Sequence, residues 1–182
     1  VTAINHNGGR VTGVEAGGRT IAADTVLAGL APKHLARLMG PSGNTRFDKG
    51  LTSFRHAPGT MMLHLAIDGA VPWKADALKQ FAYVHIGSSI DTAAKTYAQA
   101  KAGLLPDTPV LVVGQPSVLD PTRAPEGKQA LWIQVRVVPA EIQGDAAGQI
   151  SATDWESVKP AMTERVLDLI EAQAPGLRAQ II

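Results

Sequence analysis

The chain contains no cysteine. Disulfides, thiolate metal sites and cysteine nucleophiles are therefore excluded. Charge is scarce too. Charged residues make up 18% of the sequence, against a usual share of about 25%, so part of the surface is expected to face another domain, a membrane or an apolar ligand. The net charge is +1, with the signs mixed and no basic cluster, and nucleic acid is not an expected partner. No apolar run approaches the roughly 20 residues of a membrane-spanning helix, and no signal peptide is visible.

Motifs that carry chemistry are missing as well. There is no G-x-G-x-x-G and no G-x-x-x-x-G-K-[ST]; Gly127-Lys128 is followed by Gln129 and lacks the upstream glycine. A phosphate-cradling loop is thus absent from these residues. Without a G-x-S-x-G, Ser88, Ser89 and Ser117 gain no support as nucleophiles. The five histidines, His6, His34, His56, His64 and His85, never fall three or four apart, so no metal site is assigned. His64 and His85 become neighbours only if their strands pair.

What is present is patterned for an α+β fold. Gly8-Gly9 and Gly17-Gly18 separate β-rich runs at 1–4, 10–15, 19–22 and 25–28, which predicts tight hairpins and a small N-terminal β-meander ending in a strand. Pro32 suits a first helical turn, and Leu35, Leu38 and Met39 share one side of a short helix that Gly40 ends. Residues 41–59 read as turns. Strands are expected at 60–68, 83–87, 110–114 and 130–138, with a helix from an Asp91 cap to about Ala102 and Gly103 as its terminator. Asp154 caps a last helix whose stripe is Val158, Met162, Val166, Leu169 and Ile170; Pro160 implies a kink or a start near Lys159, and Pro175-Gly176 a stop. The architecture expected is a mixed, largely antiparallel sheet with helices on one face.

The two longest strands alternate. Met61, Leu63, Leu65 and Ile67 share one face with Leu131, Ile133, Val135 and Val137. The other face carries Met62, His64, Trp132, Gln134 and Arg136. One face suits packing under helices. The mixed face either meets water or roofs a ligand cavity, which makes Met62, His64, Trp132, Gln134 and Arg136 the candidate substrate-facing residues. The bland readings are a hydrogen-bonded strand histidine at His64, a salt-bridged Arg136, and packing roles for Trp132, Trp155, Met61 and Met62.

Between the last two strands lies residues 115–128, with Pro116, Ser117, Asp120, Pro121, Pro125 and Gly127. Proline presets φ, Asp120 can bond the backbone ahead of it, and Gly127 permits positive φ, so the connection is expected to be ordered and able to hold a ligand or a partner domain. Asp120 and Glu126 invite an acid/base reading, but both are better explained as turn residues, and no catalytic residue is assigned.

Four segments together resemble the phytoene desaturase-like (phytoene dehydrogenase-related) branch of the FAD-dependent amine oxidase superfamily. They are Gly9-Arg10-Val11-Thr12-Gly13-Val14 with Gly18 to Val26; Ala31-Pro32-Lys33-His34-Leu35; His64-Leu65-Ala66-Ile67-Asp68-Gly69 with Pro72-Trp73; and, most specific, Pro116-Ser117-x-x-Asp120-Pro121-Thr122-x-Ala124-Pro125-Glu126-Gly127-Lys128. The resemblance implies a FAD-binding β-meander and strand at 1–35, belonging to an incomplete FAD-binding domain, and a substrate-binding-like α+β domain at 36–182. It places a backbone group at Val1 near the adenine, and Ala31 and Pro32 near the flavin. Family members also carry a glycine-rich pyrophosphate turn and a segment under the flavin ring, and neither is found here.

The implied function is the central, substrate-binding portion of a FAD-dependent oxidoreductase of the desaturase, dehydrogenase or amine oxidase type, acting on an apolar small molecule. FAD is expected in the full-length parent and not in this fragment, and the fragment is expected to be inactive alone. The alternatives are a non-enzymatic module for a lipophilic ligand or a protein, and a hydrolase built on Asp120 or Glu126. Val1-Thr2-Ala3-Ile4 and Ala179-Gln180-Ile181-Ile182 both read as cut from something longer. The missing FAD-binding segments of the parent are then partners, together with a second copy of the chain, in a cytoplasmic or membrane-peripheral setting.

Overall fold

The computed structural model describes residues 1–87 and 89–182; Ser88, discounted above as a nucleophile, lies outside the described residues. Two compact units divide the chain, Val1–His56 and Ala57–Ile182. The architecture is α+β with antiparallel sheets, and among the described residues no helix is long and apolar enough to cross a membrane.

The first unit opens with β1 (Ala3–Asn7), β2 (Arg10–Ala16) and β3 (Arg19–Ala22), an antiparallel meander in that order. Both Gly-Gly pairs have positive φ at each residue, the type I′ geometry whose twist matches the flanking strands. Gly13 cannot be replaced quietly. Its φ is 153°, and a Cβ there would run into the Ile21 carbonyl of β3. Opposite it the ladder slips between Asn5 and His6, leaving Thr12 unpaired in a bulge. The run at 25–28 forms no strand: β propensity does not by itself make one where the chain pairs with no neighbouring strand among the described residues.

Two helices follow. In α1 (Pro32–Met39) proline occupies the first turn, Gly40 ends the helix at φ 66°, and the His6 Nε2 lies 2.9 Å from the Met39 carbonyl. The second, α2 (Thr45–Thr52), falls where turns were expected. Asn44 caps it by accepting from the Phe47 N–H, and Asp48 accepts from the Ser42 N–H, so local side-chain bonds make a helix that has no apolar stripe to announce it. Ile4 is the one large apolar residue fully buried in this unit among the described residues.

The second unit contains β4 (Gly59–Asp68), β5 (Tyr83–Ile86), α3 (Ile90–Lys101), β6 (Leu104–Leu105), β7 (Val110–Gly114), β8 (Lys128–Val138), β9 (Gly144–Asp145), α4 (Trp155–Glu171) and α5 (Leu177–Gln180). Its main sheet has the order β4-β8-β7-β5, every neighbour antiparallel. The odd-numbered residues of β4, β7 and β8, with Val84 of β5, face α4. Leu63, Ile67, Leu111, Val113, Leu131, Ile133 and Val135 pack with Val158, Met162, Val166 and Ile170 in one cluster. Each such side chain contributes about 1.5–3 kcal/mol on leaving water, which makes α4 the element that holds the sheet.

Asp154 caps α4 by accepting from the Ser157 N–H. The helix therefore starts at Trp155, with Pro160 inside it, and not near Lys159. It ends at Glu171, ahead of Pro175-Gly176; α5 follows, and the chain then lies against β4 through an Ile67–Ile181 bridge. In α3 the cap is Ser89, which accepts from the Thr92 N–H, and Asp91 sits in the first turn instead.

One core assignment moves. Val137 does not face inward with Val135; its φ is 62° and it forms the extra residue of a bulge, because Arg136 pairs with Thr60 while Val138 pairs with Gly59. The inward place passes to Val138, which is buried.

The 115–128 connection is ordered by its own bonds. Single turns of 3-10 helix occupy Pro116–Val118 and Pro121–Arg123, Asp120 accepts from the Thr122 N–H, and Gly127 has φ 74°. At its start Gln115 is buried. Its Nε2 donates to the carbonyls of Leu78 (2.7 Å) and Phe81 (2.5 Å), while its Oε1 accepts from the Trp73 indole N–H (3.0 Å).

Candidate functional site

Register fixes what the other face of the main sheet displays, the even face of β4, β7 and β8 together with the odd-numbered residues of β5. From β4 across to β5 one row reads His64, Trp132, Gly114, Tyr83; the next reads Met62, Gln134, Val112, His85; a third begins Thr60, Arg136, Val110. All five substrate-facing candidates thus share one face. His64–Trp132 and Met62–Gln134 are directly opposed pairs.

The first row is built around a missing side chain. Gly114 lies between Trp132 and Tyr83, and a Cβ on it would coincide with the indole ring. Trp132 therefore lies across the β7 backbone and reaches Tyr83, with ring centroids 5.2 Å apart and planes inclined at 48°. The offset, tilted arrangement is a favourable one for aromatic pairs. Tyr83 was not among the expected site residues. Only the pairing of β5 with β7 brings it beside Trp132, and no local pattern in the sequence announces that pairing.

This face is open and its polar groups are unspent. Met62 is 42% exposed and Tyr83 57%; His64, His85 and Arg136 are exposed, and Trp132 and Gln134 are half-buried. Among the described residues none of the side chains of His64, His85, Gln134 and Arg136 makes a hydrogen bond or ion pair, and neither does the Trp132 indole N–H nor the Tyr83 hydroxyl. Two expectations fall here. Arg136 is not salt-bridged, since it sits at the exposed end of β8 with no carboxylate against it. His64 is not a hydrogen-bonded strand histidine. The face is not bare throughout, because Val112 is buried and α3 approaches β8.

Other candidates separate. His64 and His85 lie on the two opposite edge strands, with two strands between them, and among the described residues no group of three His, Asp or Glu could hold a metal. Asp120 is fully engaged. The Thr122 hydroxyl foremost, with the Thr122 N–H and Arg123, holds its carboxyl below the ordinary range, which suits a turn organiser and not a base. Trp155 and Met61 line a groove of about 540 Å³ between β4 and α4, with Leu63, Val138, Pro139 and Thr163.

Residues that could approach a flavin do not amount to a site. Val1 is 68% exposed, and Ala31 is the N-cap of α1 with no side-chain cap bond. No glycine-rich strand-to-helix turn accompanies them. The 182 residues do not by themselves provide a dinucleotide cradle.

No family model matches the chain. Over 89 residues, 48% of its length, the chain is 32% identical to "Pyridine nucleotide-disulfide oxidoreductase domain-containing protein 2" of Mus musculus, and equally to that of Rattus norvegicus; the match spans 14% of each relative. Among solved structures, an oxidoreductase from Methanosarcina mazei matches 99% of this chain with a TM-score of 0.60 at 20% identity, over 34% of its own length. That likeness establishes the fold. Both comparisons lead to oxidoreductases much longer than the stretch they share with this chain.

Proposed function

We propose that the chain is the central, substrate-binding portion of a FAD-dependent oxidoreductase of the phytoene desaturase-like type, in which the face of the main sheet opposite α4 walls a cavity for an apolar substrate. One observation carries this reading: a sheet dry on its α4 side presents, on the other, an aromatic pair and six polar groups with no partner among the described residues. Polar groups spaced around an aromatic pair can orient a mostly hydrocarbon ligand that packs on the rings. The oxidoreductase likenesses support the class.

The redox chemistry belongs to FAD, held by segments of the parent beyond these 182 residues; residues 1–35 contribute to that domain and 36–182 shape the cavity. Trp132 and Tyr83 supply contact area, His64 and Gln134 orient a polar atom of the substrate, and Met62 closes the side toward β4.

The test uses the polypeptide encoded by the complete reading frame. Purified with its flavin, it is expected to oxidise an apolar donor drawn from a panel of polyenes, long-chain alcohols and amines. Trp132→Ala should raise KM about tenfold, equivalent to about 1.4 kcal/mol, with flavin content unchanged. The 182-residue chain alone is expected to be colourless and inactive. One flavin bound per isolated chain, or an unchanged KM in the variant, overturns the reading. A second reading, a non-enzymatic module for a lipophilic ligand, draws on the lack of a dinucleotide cradle. A reading frame with no upstream strand and G-x-G-x-x-G turn favours it.

A further inference from the structure

We propose that the free half of the β4 edge is a dimerisation surface, at which a second copy of this chain adds its own β4 antiparallel to the first.

β4 is an edge strand whose far end is already covered. The Ile182 N–H donates to the Ala66 carbonyl (3.1 Å), and Ile67 bridges Ile181. Ala66 thus points its backbone groups away from β8. By the alternation of an antiparallel ladder, so do His64, Met62 and Thr60. Among the described residues nothing bonds the outward N–H and C=O of those three. Unpaired edges of this kind are usually guarded by charge, proline or a bulge. Residues 59–65 carry no charged residue and no proline, and the bulge at Val137 lies on β8, not on β4. The opposite edge, β5, is only four residues long.

The free half is self-complementary. With the two-fold axis at Met62, each Met62 faces the other, Thr60 faces His64 of the second copy, and Met61 faces Leu63 of the second copy. The Met62 pair exchanges two backbone hydrogen bonds and the two Thr60–His64 pairs two each. No like charges meet. Backbone pairing over so short a stretch falls short of the roughly 1,200 Å² of total area a stable association needs. The groove adds apolar contact to the backbone pairing: Met61 and Leu63 of the second copy come to lie over the cavity lined by Met61, Leu63, Pro139 and Trp155. A C2 arrangement of this sort uses one patch twice and closes on itself, so the sheet becomes continuous across eight strands without growing further.

Sedimentation of the 182-residue chain from low to high micromolar concentration should give twice the 19.1 kDa chain mass. Met62→Pro should halve it while leaving the far-ultraviolet spectrum intact, because the N–H it removes points away from β8. Met62→Lys and Met62→Glu should each be monomeric alone, since like charges then oppose each other at the axis, and should pair when mixed. A chain that stays at single mass at every concentration, or Lys and Glu variants that remain dimeric alone or fail to pair when mixed, overturns the proposal. Single mass throughout would hand the edge to a strand from another polypeptide segment.

Discussion

Trp132 occupies the space that a side chain on Gly114 would fill. The indole lies on the β7 backbone, and its contact with Tyr83 follows from that position. Gly114→Ala is expected to destabilise the second unit by about 2 kcal/mol, the usual cost of forcing an extra methyl into a packed site. It should also weaken the near-ultraviolet circular dichroism of the tilted ring pair, with far-ultraviolet ellipticity retained. An unchanged near-ultraviolet band in the folded variant would show that the indole is not seated there.

Gln115 is the other close fit around β7. Its amide ties the loop at 78–81 and the Trp73 indole to the first residue after the strand. Gln115→Leu keeps the volume and abandons one donor and two carbonyls in a buried place, so a loss of about 3 kcal/mol is expected in urea unfolding. Phe81→Ala, by contrast, removes an exposed ring and leaves the carbonyl, and should cost well under half as much.

These fits mark where local pattern stops being informative. The stripe of α4 was legible because Val158, Met162, Val166 and Ile170 repeat with the helix period and Asp154 precedes them; all four are buried. The alternation of β4 and β8 was legible for the same reason, and it correctly gathered Met62, His64, Trp132, Gln134 and Arg136 on one face. Strand order was not legible. It depends on contacts between residues far apart in sequence, so the separation of His64 from His85 and the arrival of Tyr83 beside Trp132 carried no local mark. Helix α2 was hidden because capping bonds at Asn44 and Asp48, not apolar periodicity, define it. Val137 obeyed its alternation in sequence and broke it in space, because a bulge costs one residue of register and leaves no compositional trace when the bulged residue is not glycine.

Val137 holds a left-handed conformation that β-branched residues avoid, at a cost on the order of 1–3 kcal/mol. Val137→Asn should therefore raise the unfolding free energy by about 1 kcal/mol, since asparagine tolerates this region and the valine side chain is only half-buried. Val137→Gly should gain less, because glycine adds freedom to the unfolded chain. A thermal melt reads both. If Val137→Asn destabilises instead, the valine contacts outweigh the backbone strain, and the bulge is held by packing.

Asp145 and Arg165 form a buried ion pair, 2.7 Å between Oδ2 and Nη2, that joins β9 to α4; Arg165 also donates to the Pro106 carbonyl just after β6. Burial alone would push the Asp145 carboxyl up. The Arg165 guanidinium and the N–H groups of Gln149 and Ile150 outweigh it and bring the pKa from 3.8 down to about 2. A depressed carboxyl stabilises the fold fully above its unfolded value and stops doing so as pH falls toward the folded one, so about 2 kcal/mol should disappear between roughly pH 4 and pH 2. Asp145→Asn should flatten that acid limb while lowering stability at neutral pH by about 3–5 kcal/mol, because Arg165 is left charged and uncompensated in the interior. Replacing both partners, with Asp145→Leu and Arg165→Met, should recover most of the neutral-pH loss and keep the flat limb. Urea midpoints measured against pH for the unaltered chain and the two variants distinguish a pair that merely tolerates burial from one on which the β9–α4 junction depends: a double variant as weak as Asp145→Asn would mean that the bonds to Gln149, Ile150 and Pro106, and not the charge pair, hold that junction.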